Sequence, residues 1–369
     1  MEINVYDAEL TPLGIIDKIS SLIWTRRYWS CGEFKLLVPF TERHAELLKK
    51  DRILMKRGGN EAAQIRYVHI VKNTQGVEEI EAQGKMIAQW LDKRIVRAQI
   101  VATDTTQAII TRAVRENVTA PTDARRRIPN LSIADVGDLG SGVIEYASEP
   151  FISTLLACES AAKAAKLGFK VTTDVRTRQH SFVVYKGREL TADQTENPPC
   201  IFSQEFDNIL EQEYTDSTEN LKSVAYVGGE EKEGTARKIV EVGDAEGLER
   251  DEIFVNATDI TQTYQDGDTE ITMTDAQYID MLAQRGATEL EQYAETLNFA
   301  SKVNTYTNLK YGEDFDLGDR VTCINKRWGI KINVRITEIA ETYQQGNTDI
   351  DITFGESLPT IIDKIRKLR

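Results

Sequence analysis

The sequence predicts a β-rich α+β protein, with two small β-barrel domains and α+β modules between them. Both ends of the chain alternate apolar and polar residues, as in Glu33-Phe34-Lys35-Leu36-Leu37-Val38 near the start and Ile332, Val334 and Ile336 near the end. Between the ends the period lengthens to about 3.6 in a few stretches, so the longer helices are expected in the middle. At 369 residues the chain exceeds one ordinary core and has room for about two to four domains.

Residues 1–100 read as the N-terminal β-barrel, with strands at 33–38 and 65–71 bounded by glycine and polar turns. Two short helices interrupt it: Thr41 caps one over 42–50, and 85–93 carries Ile87, Trp90 and Leu91 at helical spacing. His69, inside the second strand, reads as a core or sheet residue rather than a ligand. Residues 101–199 form the α+β domain. Ala108, Ile109, Ala113 and Val114 make one stripe of a helix over 105–117 capped by Asp104. A second helix follows Ser148, with Glu149-Pro150 in its first turn, Phe151, Ile152, Leu155 and Leu156 on one face, and Gly168 beyond its end. Strands at 169–173 and 181–185 complete the unit, and the polar, proline-containing stretch 187–199 reads as a linker.

Residues 200–243 plus 298–357 are assigned to the second β-barrel. Its strands include 221–227 and 237–242 around a polar tip, and a final hairpin pairing Ile332, Val334 and Ile336 with Ile350, Ile352 and Phe354 through a turn at 344–347. The two β-rich ends have the character of a diverged duplication. The intervening 244–297 is a helix-bearing insertion. Thr274-Asp275-Ala276-Gln277 is a capping box, and Ile279, Leu282, Leu290, Tyr293 and Leu297 follow at helical spacing. Gly286 costs that helix about 1 kcal/mol relative to alanine, which predicts a close contact there. Residues 358–369 form a short C-terminal helix from Pro359, with Lys364, Arg366, Lys367 and Arg369 at the end that favours cations.

Composition excludes whole classes. With 41% hydrophobic and 28% charged residues and only 8 prolines, the chain is neither disordered nor fibrous. A net charge of −14 argues against specific nucleic-acid binding and against a grip on anionic lipid. No run reaches the roughly 18 apolar residues of a spanning helix, and the start lacks a signal-peptide pattern, so no membrane insertion and folding in a cytoplasm are expected. Cys31, Cys158, Cys200 and Cys323 are far apart and read as reduced packing residues.

The search for chemistry nominates no catalytic residue, no metal site and no cofactor. The three histidines, His44, His69 and His180, form no ligand cluster. Ser160-Ala161-Ala162-Lys163 has the nucleophile-and-base spacing of one helical turn but lacks its companion motifs, and reads as an alanine-rich helix. Gly84-Lys85 lacks the rest of a phosphate loop. Asp266, Asp268 and Glu270 read as a solvated acidic loop. Arg125-Arg126-Arg127 is either a solvated loop or an electrostatic latch for an acidic neighbouring subunit. Trp24, Tyr28 and Trp29, with Arg26 and Arg27 between them, form an aromatic and cationic interface patch, or else alternation sends half of them into a core.

The stretch Tyr311-Gly312-Glu313-Asp314-Phe315-Asp316-Leu317-Gly318-Asp319-Arg320-Val321 resembles a signature of phage tail-hub proteins, in which an LGDxV turn introduces the strands of a β-barrel. Strands 334–339 and 350–355 are similar to the remaining strands of that barrel. Trp24-Thr25-Arg26-Arg27-Tyr28-Trp29 with Gly32-Glu33-Phe34-Lys35-Leu36 resembles the start of tail proteins from siphophages of Gram-positive hosts. The motif is physically sensible: Gly318 permits the turn, Asp319 bonds turn amides, and Leu317 and Val321 anchor either side.

The resemblance implies a structural protein of the virion tail of a phage or prophage, with no activity of its own. It implies a homotrimeric hub whose two barrels per subunit make a ring of six, meeting the tail tube and distal tail proteins on one side and a tip or fibre protein on the other. DNA would cross its lumen, repelled by the acidic surface. With the chain ending at Arg369, no lysin domain is expected to follow the hub module. Candidate interface residues are Trp24, Arg26, Tyr28, Trp29, Arg125, Arg126, Arg127, Leu317, Gly318 and Asp319. The alternatives are a cell-wall hydrolase acting through carboxylates and a carbohydrate-binding module presenting Trp24, Trp29, Trp90 or Trp328.

Overall fold

The computed structural model describes residues 1–355 apart from 73, 75, 267, 268, 305–308 and 345. The expected helix at Pro359, Gln345 of the turn at 344–347, and Gly267 and Asp268 of the acidic loop lie outside the described residues.

The N-terminal part is built from β1 (Ile3–Tyr6), β2 (Pro12–Ile16), β3 (Ser21–Arg27), β4 (Glu33–Pro39), α1 (Glu42–Leu47), β5 (Ile53–Lys56), β6 (Ala62–Lys72) and β7 (Glu78–Met86). The alternation in β4 is the expected one, with Phe34, Leu36 and Val38 buried. Thr41 caps α1 by accepting the amide of His44, but the helix stops at Leu47. Where a helix was expected from residue 85, β7 continues to Met86 and a 3₁₀ turn over Ile87–Lys93 follows, still burying Ile87, Trp90 and Leu91. His69 lies on an exposed part of β6, while His44 and His180 are buried.

The middle contains β8 (Val101–Thr105), α2 (Thr106–Val114), β9 (Leu131–Ile133), β10 (Val143–Ala147), α3 (Thr154–Ala164), β11 (Gly168–Asp174) and β12 (Gln179–Tyr185). The cap of α2 is Thr105, whose hydroxyl accepts the Ala108 amide, rather than Asp104. Helix α3 starts at Thr154, later than its composition indicated. Phe151 has φ +59° and is exposed, a conformation that cannot sit inside a right-handed helix.

The remainder comprises β13 (Ile201–Ser203), β14 (Ile209–Ser217), β15 (Val224–Gly228), β16 (Ile239–Val242), β17 (Glu252–Asn256), β18 (Thr263–Asp266), β19 (Thr269–Thr272), α4 (Asp275–Glu291), β20 (Thr296–Val303), β21 (Arg320–Asn325), β22 (Ile330–Gln344) and β23 (Asn347–Gly355). The capping box of α4 is present, with Thr274 and Gln277 bonding reciprocally. Gly286 makes the expected close contact: a Cβ there would lie 2.6 Å from Val227 Cγ2 and 2.9 Å from Val242 Cγ2. Helix α4 is therefore pressed onto the sheet β16-β15-β17. None of the described helices is long and apolar enough to cross a membrane.

The fold is β-rich α+β as expected, but the barrel geometry requires correction. The strands of both ends join in one sheet of 13 strands, whose main path runs β14-β20-β23-β22-β3-β4-β7-β6-β5-β1-β2, with β21 paired to β22 and to β13. None of the described sheets closes into a barrel. The join is β22 with β3, antiparallel, Glu341 facing Trp24 and Ile339 facing Arg26. An edge strand at each end has found its partner at the other, which removes two unpaired edges at once. A core under the N-terminal strands extends through α2, α3, β11 and β12, and a second lies among β20 to β23.

Candidate functional site at the seam between the two ends

Two sequence motifs far apart in the chain meet at this join. Strand β3 alternates, so Leu22 and Trp24 enter the N-terminal core, and Trp24 packs against Phe34 with ring centroids 5.9 Å apart. Tyr28, one residue past β3, is wholly buried but belongs to the opposite core, among Phe202, Phe315, Ile336 and Phe354. Its backbone joins two more elements: its amide donates to Thr337 O at 2.9 Å, and its carbonyl accepts Phe169 N at 3.0 Å.

The Tyr28 ring is clasped by glycines. A Cβ on Gly168 would sit 2.2 Å from Tyr28 Cε2 and one on Gly318 2.3 Å from the same atom. The phenol donates within reach of Lys166 O and Tyr185 O at 3.2 and 3.3 Å and accepts the amide of Gly187 at 3.3 Å. Above the ring, the Arg335 guanidinium lies 5.3 Å from the centroid and donates to Gly318 O at 2.5 Å.

The turn Leu317-Gly318-Asp319 behaves as its residues require. Gly318 has φ +94°, and Leu317 and Val321 are buried on either side. The buried Asp319 carboxylate accepts the Asp316 amide at 2.9 Å, the Arg188 amide at 2.7 Å, and Arg188 Nη2 at 2.7 Å. This corrects the reading of 187–199 as a linker. Gly187 lies against the Gly318 peptide, Leu190 and Thr191 are buried, and Glu189 bridges Arg320. The segment is a strap, pinned by a carboxylate 131 residues away.

A string of charges runs beside Tyr28. Arg26 donates to Glu61 at 2.9 Å, to the Tyr311 hydroxyl at 2.8 Å and to Asp316 at 2.7 Å. Tyr311 in turn donates to Glu341 at 3.2 Å, and Glu341 takes Lys56 Nζ at 2.5 Å. Burial works against the Arg26 charge, but Glu61, Tyr311 and Asp316 outweigh it and hold the guanidinium well above its ordinary value. Burial pushes the Lys56 ammonium below its ordinary range, with Glu341 opposing the shift. The sequence reading missed Lys56, Glu61, Arg188 and Glu341. Glu341 had a usable signal: it is in phase with Ile339 on the buried face of β22.

The profile of the Siphovirus ReqiPepy6 Gp37-like protein family matches residues 2–356. The chain belongs to that family. No curated protein sequence matches it. Among solved structures, the 43 kDa tail protein of prophage MuSo2 from Shewanella oneidensis is similar, with TM-score 0.59 and 13% identity over 96% of this chain and 98% of that one. Prophage tail protein gp18 from Listeria monocytogenes EGD-e gives TM-score 0.57 and 12% identity over 100% and 98%. The tail protein from Neisseria meningitidis MC58 gives TM-score 0.55 and 13% identity over 96% of each chain. This siphovirus-family chain therefore has the fold of phage tail proteins.

Within this Gp37-like chain, the sequence-predicted site residues divide into groups. Trp24, Arg26, Tyr28, Leu317, Gly318 and Asp319 come together at the seam, turned inward, and Trp29 is partly buried between both cores. Arg125, Arg126 and Arg127 lie apart from the seam in the α+β region. Arg125 is paired with its neighbour Asp123 at 2.8 Å, Arg126 donates to Ile95 O at 2.6 Å, and Arg127 is exposed.

Lys163 donates to Glu291 O at 3.2 Å, a tether between α3 and the end of α4. All four cysteines are free and buried, with burial pushing Cys31 and Cys200 up to about 12, so none is a ready nucleophile. No group of His, Cys, Asp or Glu among the described residues has metal-site geometry. Of the four tryptophans offered as a glycan platform, Trp24 and Trp90 are buried, Trp29 is partly buried, and Trp328 alone is exposed.

Proposed function

We propose that this chain is a structural subunit of a siphovirus-type tail tip, a hub that joins the tail tube to distal tip or fibre components around the DNA passage. The observation that carries this reading is the continuous sheet that binds the two terminal motifs at Tyr28 and Gly318, in a fold shared along nearly the whole chain with prophage tail proteins. A hub transmits force between neighbours, and a seam of packed aromatics, glycines and buried ion pairs resists shear better than two domains on a flexible linker. In this reading three subunits, each with two β-rich halves, form a ring matched to a sixfold tube, and the net charge of −14 keeps phosphate from adhering to the lumen. The chain works without catalysis, in the virion tail, in contact with tail tube, distal tail and tip proteins.

Mass photometry with negative-stain averaging tests the reading, using the chain alone and with its tail-tube protein. The expected species is three times the 41.6 kDa chain, with a central hole. A compact monomer in both samples overturns it. Clearing of peptidoglycan in a zymogram, abolished by one carboxylate substitution, would instead establish a hydrolase.

A further inference from the structure

We propose that the groove between α2 and the open edge of β9 docks an extended, acidic strand of a partner protein. Strand β9 pairs in parallel with β12 on one side, through Leu131↔His180 to Ile133↔Phe182, and with no described strand on the other. His180 N donates to Asn130 O at 2.7 Å and Ala134 N to Phe182 O at 2.9 Å, so the even positions face β12. Leu131 and Ile133 consequently turn their N–H and C=O groups outward, as alternate residues of a parallel strand must. That edge lines a groove of about 600 Å³ with an apolar floor of Leu131, Ile133 and Val184.

Charge decides the occupant. Arg115 and Arg127 line the same groove, both exposed, and neither has an ion pair or side-chain hydrogen bond among the described residues. Their neighbours do: Arg112 is paired with Glu116 at 2.7 Å and Arg125 with Asp123 at 2.8 Å. Asp135 is the single carboxylate on the groove wall, and it accepts the Gly137 amide at 3.2 Å. In a chain of net charge −14, two free guanidinium groups beside an open strand edge select an acidic partner. A strand adding to β9 presents side chains with a period of two, so the matching segment alternates apolar residues, set on the floor, with acidic ones toward the arginines. Of the basic run 125–127, Arg127 alone is placed to act as the latch. This proposal stands independently of the hub reading.

The test is fluorescence anisotropy of the full chain with an acetylated, fluorescein-labelled peptide of about eight residues alternating valine and glutamate, matched by a valine and lysine peptide. The glutamate peptide is expected to bind, the lysine peptide not, and binding is expected to weaken with added salt. Arg115→Glu and Arg127→Glu, both on exposed side chains, are each expected to weaken binding about fivefold or more at unchanged thermal stability. Ile133→Pro, which removes an outward amide, is expected to weaken it without changing charge. Hydrogen exchange of the Leu131 and Ile133 amides is expected to slow on binding. Failure of the glutamate peptide to bind, equal binding of both peptides, or indifference to both arginine substitutions overturns the proposal. So does concentration-dependent dimerisation abolished by Ile133→Pro, which would make a second copy the occupant.

Discussion

Gly318 and Tyr28 are shaped to each other: the Cβ that any other residue would add at Gly318 falls 2.3 Å from Tyr28 Cε2, and Gly318 holds φ +94°. Two independent penalties, backbone strain and collision with a buried ring, coincide at one atom. Gly318→Ala is expected to cost about 3 kcal/mol or more. Gly312→Ala shares the positive φ, at +84°, but opens into free space and is expected to cost about 1 kcal/mol. Urea unfolding of both variants checks this; equal losses would show that strain alone acts and that the ring fit is irrelevant.

The strap over 187–199 is held by the Asp319 carboxylate through the backbone and side chain of Arg188. Asp319→Ala removes these charge-assisted bonds, at a cost of about 3 kcal/mol. Local opening should accelerate tryptic cleavage beside Lys186 and Arg188 on the order of tenfold. Mass spectrometry of timed digests reads the cut sites, and unchanged cleavage at that segment refutes the pinning role.

Glu341 and Lys56 form an ion pair with both side chains largely buried, at 5% and 16% exposure, and it ties β5 to β22. Removing one partner leaves the other charge buried, so Glu341→Gln is expected to destabilise the chain by about 3 kcal/mol. Burial already depresses the Lys56 pKa, and without Glu341 nothing nearby of similar strength opposes it. A base depressed on folding loses stability as pH falls below its unfolded value, so the deficit should shrink as pH rises toward 10.5. Chemical denaturation of both proteins between neutral pH and pH 10 measures this. A deficit constant across that range excludes Lys56 as its source.

His180 is fully buried, its Nδ1 2.9 Å from Thr173 Oγ1 and its ring edge-on to Trp90 at 4.9 Å. Burial lowers its pKa from 6.5 to about 4. The unfolded chain binds this proton first on acidification, so stability present above pH 6.5 is lost as pH falls through that value toward 4, by about 3 kcal/mol in total. His180→Gln should flatten this slope while lowering stability at neutral pH. Melting curves between pH 4 and 7 decide the matter: a parallel slope in the variant assigns the acid sensitivity elsewhere.

Features written in neighbouring residues were legible in the sequence. Thr274 and Gln277 announce the start of α4 because a capping box closes within one turn. Gly286 announces a close approach because its cost inside a helix demands a return. The start of α3 was misread because Pro150 suits a first turn, whereas Phe151 adopts a left-handed conformation that local pattern does not reveal. The strap was misread as a linker for a related reason: its polar composition is satisfied by Asp319, and sequence distance hides such a partner. Of the site, the motifs around Tyr28 and Gly318 were visible separately, but their contact depends on β3 pairing with β22, and alternation specifies a face rather than a neighbour.

That pairing also sets the order of events during synthesis. Strand β3 leaves the ribosome some three hundred residues before β22, so its edge and the Tyr28 ring wait, uncovered, while the rest of the chain is made. The nascent N-terminal half carries a ready template for pairing with other chains until the last strands arrive. Expression systems that slow or truncate translation should accumulate aggregates seeded at this edge, whereas a chaperone that shields it for the duration of synthesis should raise the yield of folded protein.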